Sequence, residues 1–558
     1  MADRPTHPRQ THVQVGSWVG LAALGAVAAA VGLRPIEDGD LFWNLAIGRW
    51  LLTHHSLLPA IDPFTYNAGA APVQHEWLAQ ALLAWIVDVG GLASLRLLGG
   101  AWCAGVAAVA FLALRRRGAG DAVALAGASL WWLFAAPHAV VRPHLLAWLP
   151  AWLFVGWVLD APNATATSAR IGAARAWPFR TISPKRLAVG VVIVGVWGNL
   201  HASVLLAPAW CAAMVFTALL ISVRSGRPVR DAVAPWAAHL LWTSAAASLQ
   251  PAGWTLVAYA LHTPAVNQAL SNEWWPLLRA DVWASRPFLL VAWAALGVAV
   301  AVGLVGAVRQ PIWPPRAPGP LLASAAVAHA ALTRRMSVFL LLPVLWLVDR
   351  LASRRAPWPL TPQLALLVAA LCLVAVAPET RGWHQPATLR PGAFPTLATT
   401  FVDHAGLGGR PLHPDGWGGY LSWRLDGRVQ TYADGRWPLV GAQVIADGVK
   451  MLTRQQDAGP VFTRYRIDWL MQPTSLYLRV PPPDPKLWAL AWQDADTVVL
   501  LRRGPAFSAN SRRVCAFYRA WPTLRPRATW PMRARGPAGV AVPTDVPSAL
   551  SLCQEPPP

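Results

Sequence analysis

Three carboxylates fall close together in "RPIEDGDLFWN": Glu37, Asp38 and Asp40. A carboxylate can take the proton of an attacking hydroxyl or hold a divalent cation, and either task suits the edge of a low-dielectric cavity. The pattern requires no cation, and the cofactor is left open. Asp40, Asn44 and Gly48 recur every four residues on a helix whose other positions include Leu41, Phe42, Leu45, Trp50 and Leu52. That spacing predicts an amphipathic helix lying along a membrane surface, apolar side down. In a purely structural role, Asp40 is its N-cap and Asp38 a solvated residue of the Asp-Gly turn.

The cationic counterparts are Arg142 and His144 in "VVRPH" and Arg334 and Arg335 in "LTRRM". A guanidinium fork suits the oxygens of a membrane-borne phosphate, although arginines at span ends also snorkel to headgroups. His201 in "WGNLHAS", Glu76 beside His75 in "QHEW" and Glu273 in "SNEWWP" complete the binding candidates. Each also has a plain role: a hydrogen-bonded histidine, a first-turn acid and the neighbour of an interfacial anchor.

These groups must be held by membrane helices. The 558 residues are 55% hydrophobic and 13% charged, with a mean hydropathy of +0.38. That is too apolar for a soluble protein of this length. The formal charge of +21 comes from arginine clusters between apolar runs, the mark of cytoplasmic loops. No basic stripe with interleaved aromatics is present, so nucleic-acid binding is set aside. The 33 tryptophans fit interfacial belts. Cys103, Cys211 and Cys372 lie in apolar runs, whereas Cys515 and Cys553 could pair if their region is exported. The leader before Gly16 resembles a signal peptide, but the run to Leu33 is long enough to read as an uncleaved anchor.

Candidate spans are Gly16–Leu33, Leu95–Leu114, Ala122–Ala136, Leu145–Leu159, Leu187–Leu200, Ala202–Val223, Val233–Leu249, Phe288–Val308, Leu321–Leu332, Ser337–Val348 and Gln363–Val376. A separate helix over Trp77–Val89 covers only about 20 Å of a hydrocarbon core of about 30 Å, so it is expected at the interface or re-entrant. With about eleven spans and a cytoplasmic N-terminus, the clusters Arg115–Arg117, Arg170–Arg186, Arg224–Arg230, Arg309–Arg316 and Arg350–Arg355 all fall inside. Every candidate site residue then faces the outer side. A cytoplasmic linker is expected over Ala161–Arg186.

From about Glu379 glycine, proline and charge rise. "GYLSWRL", "RVQTYADGR", "RIDWLMQP" and "TVVLLRR" read as strands or strand ends, and "PLVGAQVIADGVKMLTRQQ" as a helix. The expected division is a transmembrane domain over 1–377, an outer-face mixed α/β domain over 378–535 and a Pro-rich tail over 536–558.

The ordered run "DGDLFWNLAIGRWLLTHHSLLPAIDPFTY", "PVQHEW", "VRPHLL", "WGNLHAS", "EWW", "GWGGYLSWRL" and "TYADGR" resembles a bacterial group of polytopic proteins similar to GT-C glycosyltransferases, such as protein O-mannosyltransferases and aminoarabinose transferases. The resemblance implies an α-helical polytopic GT-C-like fold in the cell inner membrane, with the C-terminal domain outside. It implies transfer of a sugar from a polyprenyl phosphate or diphosphate. An acid of the first outer loop, here Asp38 or Asp40 with Glu37 adjacent, acts as base or metal ligand, and later loops bind the phosphate. The group has His where this chain has Asn44. Its "DGR" signature, Asp434–Arg436, brings no implied chemistry beyond a tight turn. Two other classes stay open: a transporter or flippase of lipid-linked precursors, although no internal repeat is seen, and a noncatalytic relative binding an envelope partner. Membrane lipid is a partner in every reading, and oligomeric state is left open.

Overall fold

The computed structural model describes residues 15–158, 184–226, 228–270, 272–280, 284, 286–309, 319–353, 361–454, 458–480, 487–524 and Cys553. The expected leader, nearly all of the linker, and the expected tail apart from Cys553 lie outside these residues. The chain divides into two compact units. One comprises Met1–Arg34, Ser94–Val257 and Ser271–Gln385; the other comprises Pro35–Ala93, Ala258–Leu270 and Pro386–Pro558.

The first unit is helical. It contains α1 (Val15–Gly32), most of α3 (Trp77–Arg116), α4 (Asp121–Ala135), α5 (Pro143–Leu153), α6 (Pro184–Leu200), α7 (Leu206–Ser225), α8 (Val229–Ala247), α10 (Pro287–Arg309), α11 (Pro320–Leu332), α12 (Leu341–Ser353) and α13 (Pro362–Val376). Over the described residues the candidate spans coincide with helix, Leu159 lying outside them. Four helical stretches among the described residues are long and apolar enough to cross a membrane: Trp77–Arg116, Ala202–Ser225, Pro287–Arg309 and Pro362–Thr380.

One expectation holds and two change here. Trp77–Val89 is a separate helix, because α3 is two helices joined across a kink at Gly91. Gly91 has φ 71° and ψ 179°, a conformation that only glycine adopts without strain. A helix absent from the span assignment, α9 (Thr255–Leu270), follows α8. The tryptophans do not all form belts: Trp131, Trp132, Trp152 and Trp197 are fully buried. Trp131 meets Trp132 and Trp152 nearly edge-on, each with ring centres 5.7 Å apart, and its Nε1 donates to Val338 O at 2.7 Å. For Trp131 burial is favourable because its indole donor keeps a partner while the ring gains packing contacts.

The second unit holds α2 (Asp40–His54) and a small sheet. Its strands are β1 (Pro411–Leu412), β2 (Trp469–Pro473), β3 (Trp488–Gln493) and β4 (Thr497–Arg502), in the order β1-β2-β4-β3. β1 runs parallel to β2; the other pairs are antiparallel. β4 is buried along nearly its whole length, hence its continuous apolar run "TVVLL". Met451 of α16 (Ala442–Leu452) and Phe462 of α17 (Ala458–Tyr465) share a core with Leu470, Val498 and Leu500. Phe401 of α14 (Thr396–Ala405) stacks on Trp492 at 5.0 Å and meets Phe517 of α18 (Ser508–Ala520) at 5.1 Å. A disulfide joins Cys515 to Cys553.

Two further expectations are overturned in this unit. "GYLSWR" is not a strand but the end of α15 (Asp415–Arg424). Nor does α2 offer its apolar side to lipid: Leu41, Phe42, Leu45 and Ile47 are buried, and Phe42 packs on Phe394, Tyr420 and Trp423 at 4.8–5.2 Å. Periodicity signals that a face is covered, and here protein covers it.

Candidate active site

In the second unit the acids of "EDGD" take distinct positions. Asp38 Oδ1 accepts the Asp40 N–H at 2.9 Å, so Asp38 supplies the side-chain cap at the start of α2. Gly39 is the N-cap residue and Asp40 the first helical one, which corrects the capping role expected of Asp40. The Asp40 carboxylate lies against Gly435: a methyl group on that glycine would fall 1.7 Å from Asp40 Oδ1. Glu37 is exposed and ion-paired with Arg390.

The polar stripe of α2 faces α3. Asn44, 1% exposed, donates to Asp40 O at 2.8 Å and accepts from Gln80 Nε2 at 3.0 Å. Where the resembling group has His, this chain has a satisfied structural amide. Glu76 and His75, both buried, are 3.4 Å apart, and the His75 ring lies 4.9 Å from Tyr259.

Beside Asp40 stands a cluster that the sequence analysis did not assemble. Arg436 donates to Asp62 through Nη1 at 2.6 Å and Nη2 at 3.0 Å, and to Asp434 through Nε at 3.1 Å and Nη2 at 2.7 Å. Both carboxylates are fully buried. Burial works against the Arg436 charge, but Asp434 and Asp62 outweigh it and raise its pKa. Asp62 Oδ2 also accepts the N–H of Thr65 at 2.8 Å, fixing the turn of "IDPFTY". Thr65 then bridges to Thr431, parallel to "TYADGR". His413 supports the same segment. Its Nε2 accepts the Tyr432 N–H at 3.2 Å and its Nδ1 donates to Pro414 O at 2.8 Å, which assigns the neutral Nδ1–H tautomer. Burial depresses its pKa. The signals available were the Asp-Pro of "IDPF" and the charged "DGR", yet nothing local pairs residues this distant in the chain.

In the first unit the basic candidates converge. Arg142 donates to Glu273 Oε1 at 3.5 Å and Arg335 to Glu273 Oε2 at 3.3 Å. Arg142 precedes Pro143 and is held extended (φ −145°, ψ 168°), as the proline ring requires. The Arg335 guanidinium stands 5.6 Å from the centre of the Trp274 ring. Arg334 is tied to the same loop through its backbone N–H, which donates to Trp275 O at 3.0 Å. Burial pushes the Glu273 carboxyl up, but Arg142 and Arg335 outweigh it and hold it well below the usual carboxylate range.

Glu379, which the sequence analysis passed over, likewise joins Arg286 at 2.5 Å and Arg34 at 3.1 Å. Arg286 and Glu379 line a cavity of about 100 Å³ with Leu133, Phe288, Leu289 and Val376. Buried His138 is pushed down to about 3, first by burial and then by Arg334, Arg335 and Arg286, against the opposing pull of Glu273. The ring of His144 lies 6.2 Å from that of His201, with its Nε2 2.9 Å from His138 O. His201 Nδ1 accepts the Ser203 N–H at 3.0 Å, capping a short turn. Thus Arg142, Glu273, Arg334, Arg335, His144 and His201 belong to one unit, while Glu76 belongs with Glu37, Asp38 and Asp40 in the other.

Among the described residues no group of three or more histidine, cysteine or acidic side chains stands close enough to hold a metal ion. The buried carboxylates Asp62 and Asp434 are already joined by a guanidinium, so this donor set does not fit a metal.

No protein-family model matches the chain, and no curated protein matches it. Solved structures do. The oligosaccharyltransferase of Archaeoglobus fulgidus, tethered with an acceptor peptide containing the NVT sequon, is similar with a TM-score of 0.55 and 10% identity, over 84% of this chain and 70% of that one. The same enzyme, AglB, in complex with an inhibitory peptide and a dolichol-phosphate gives 0.55 and 10%, over 83% and 70%. Its complex with Zn and sulfate gives 0.53 and 10%, over 82% and 68%. At this identity the likeness is one of fold: the chain has the fold of GT-C glycosyltransferases.

Proposed function

We propose that this chain is a membrane glycosyltransferase that moves a sugar from a polyprenyl-phosphate-type lipid to an acceptor hydroxyl at the outer face of the cytoplasmic membrane. The observation that carries the reading is the convergence of Arg142 and Arg335, from distant parts of the chain, on one half-buried carboxylate. The result is a cationic centre in a fold shared with an enzyme solved with dolichol-phosphate. The planar guanidinium fork matches the oxygens of a phosphate, and the two arginines give this centre a net positive charge.

Asp40 receives the proton as the acceptor oxygen attacks the anomeric carbon. The bond from that carbon to the phosphate oxygen breaks with its electron pair on the phosphate. Arg142 and Arg335, with Arg334 nearby, stabilise the charge that develops there. A phosphate leaving group needs no proton. The apolar cavity beside Arg286 suits the first isoprenyl carbons of the lipid. No step is routed through a metal.

The topology proposed with this function has eleven spans, a cytoplasmic N-terminus, a transmembrane domain over 1–377 and an outer-face domain over 378–535, with a tail to 558. The disulfide between Cys515 and Cys553 supports an oxidising outer location for that domain.

The test is transfer of sugar from polyprenyl-phosphate sugars extracted from the producing cell's membranes, comparing wild type with Asp40→Asn and Asp38→Asn at equal abundance. Loss of transfer with normal insertion is expected, and unchanged transfer in both variants would sink the assignment.

A further inference from the structure

We infer that the Asp434–Gly435–Arg436 loop is the positioning element for Asp40, with Gly435 as its seat and Arg436 as the lock that holds the seat in place. The inference rests on the reading of Asp40 as the carboxylate that activates the acceptor.

Glycine at 435 is not there for a left-handed backbone, since it is not among the glycines with positive φ. Its requirement is space. A methyl group there would fall 1.7 Å from Asp40 Oδ1, 2.7 Å from its Cγ and 3.1 Å from Trp43 Nε1. Real Cβ atoms essentially never approach below 3.0 Å, so the Asp40 carboxylate would have to leave.

Arg436 is committed to its two carboxylates. Its Nε, Nη1 and Nη2 all donate to Asp62 or Asp434, and its backbone N–H donates to Asp434 Oδ1 at 3.0 Å. It therefore positions rather than binds. What it fixes is informative: Asp62 belongs to the same outer loop as Asp40. Phe64 O accepts the Thr431 N–H at 2.8 Å, and Thr431 O accepts the Tyr66 N–H at 3.2 Å. One short segment, Thr431–Arg436, thus touches the loop at Asp40 and again from Asp62 to Tyr66. A carboxylate that must meet a reacting hydroxyl needs its position fixed, and a misplacement of about 1 Å can cost about a hundredfold in rate.

Gly435→Ala tests the seat without removing any charge. Using the same extracted lipid-linked sugars, kcat is expected to fall tenfold or more while KM for the donor stays within twofold and the melting temperature is kept. A second readout needs no turnover: Asp40→Cys is labelled by a water-soluble maleimide, and adding Gly435→Ala is expected to raise the labelling rate severalfold. Arg436→Lys, which keeps the charge but loses the fork, is expected to lower kcat with the same KM pattern. The exposed pair Arg428–Asp403 supplies the control Arg428→Gln, which should leave kcat unchanged. If Asp40→Asn abolishes transfer while Gly435→Ala keeps wild-type kcat and labelling, positioning is refuted and the reading of Asp40 stands. If Asp40→Asn transfers normally, that reading fails, while the labelling experiment still decides whether Gly435 seats the side chain. Equal losses in Gly435→Ala and Arg428→Gln would overturn the inference as general loosening.

Discussion

The two units solve opposite charge problems. In the second, one guanidinium lies between two fully buried carboxylates; in the first, one carboxylate lies between two guanidinium groups, and a second Glu379-centred pair repeats the pattern. The excess charge is negative in one and positive in the other. In the Asp62–Arg436–Asp434 set every guanidinium nitrogen is engaged with a fully buried carboxylate, and the set acts as a structural clasp. The Arg142–Glu273–Arg335 set carries net positive charge around a half-buried carboxylate, which suits the proposed phosphate. The sign of the excess charge, not burial itself, separates the two.

Ways to break this contrast can be ranked by effect. Asp40→Asn should reduce sugar transfer by about 10²–10⁴-fold, the usual cost of losing a positioned acid or base, measured as kcat at equal enzyme abundance. Asp62→Ala leaves Arg436 with half its compensation, and Arg436→Ala leaves two buried carboxylates with none. Breaking such a pair costs about 3–5 kcal/mol, seen as low abundance or an early thermal transition. Arg142→Ala should instead leave folding nearly intact and raise KM for the lipid donor by roughly tenfold, about 1.4 kcal/mol of lost binding. Equal destabilisation by Arg142→Ala and Arg436→Ala would erase the distinction between clasp and site.

The pH dependence gives each unit a readout of its own groups. His413 has a folded pKa below its unfolded value near 6.5. Below that pH the unfolded chain takes up a proton that the folded chain refuses, so stability present at higher pH is lost as pH falls below about 6.5. The loss is up to about 1.4 kcal/mol per pH unit, readable as a falling melting temperature that His413→Gln flattens. Glu273 is depressed, so its contribution is complete above the ordinary carboxylate pKa and is lost only as pH falls through its low folded value; in the same unit buried His138, pushed down to about 3, loses stability below about 6.5 as His413 does. Glu37→Gln, which breaks an exposed ion pair, should be the smallest change, within about 1 kcal/mol in stability and without effect on transfer.

Legibility in the sequence followed the range of the interactions. Apolar runs and arginine clusters announced a membrane protein because both are local signals, and the helices coincide with the runs. Arg142, Glu273 and Arg335 stood out because charge at the end of an apolar run is conspicuous wherever its partner lies. The α2 periodicity was legible, but what covered its apolar face was not, because Phe42 meets Phe394 and Tyr420 only after the chain returns. "GYLSWR" looked like a strand from its glycines and aromatics, yet it folds as a helix in the core that buries Phe42. The Asp62–Arg436 contact joins residues 374 positions apart, and no pattern within either segment implies the other.

That separation also sets a timetable. At roughly 5–20 residues per second of synthesis, roughly 20–75 seconds pass between the emergence of Asp62 and that of Arg436. Throughout that interval the first loop carries a carboxylate whose counter-ion does not yet exist, so it cannot close around Asp62. The loop that bears Asp40 is made early and finished late, and a chain halted before Arg436 leaves it unclosed. Closure of the Asp40 loop is therefore a checkpoint on completion of the polypeptide.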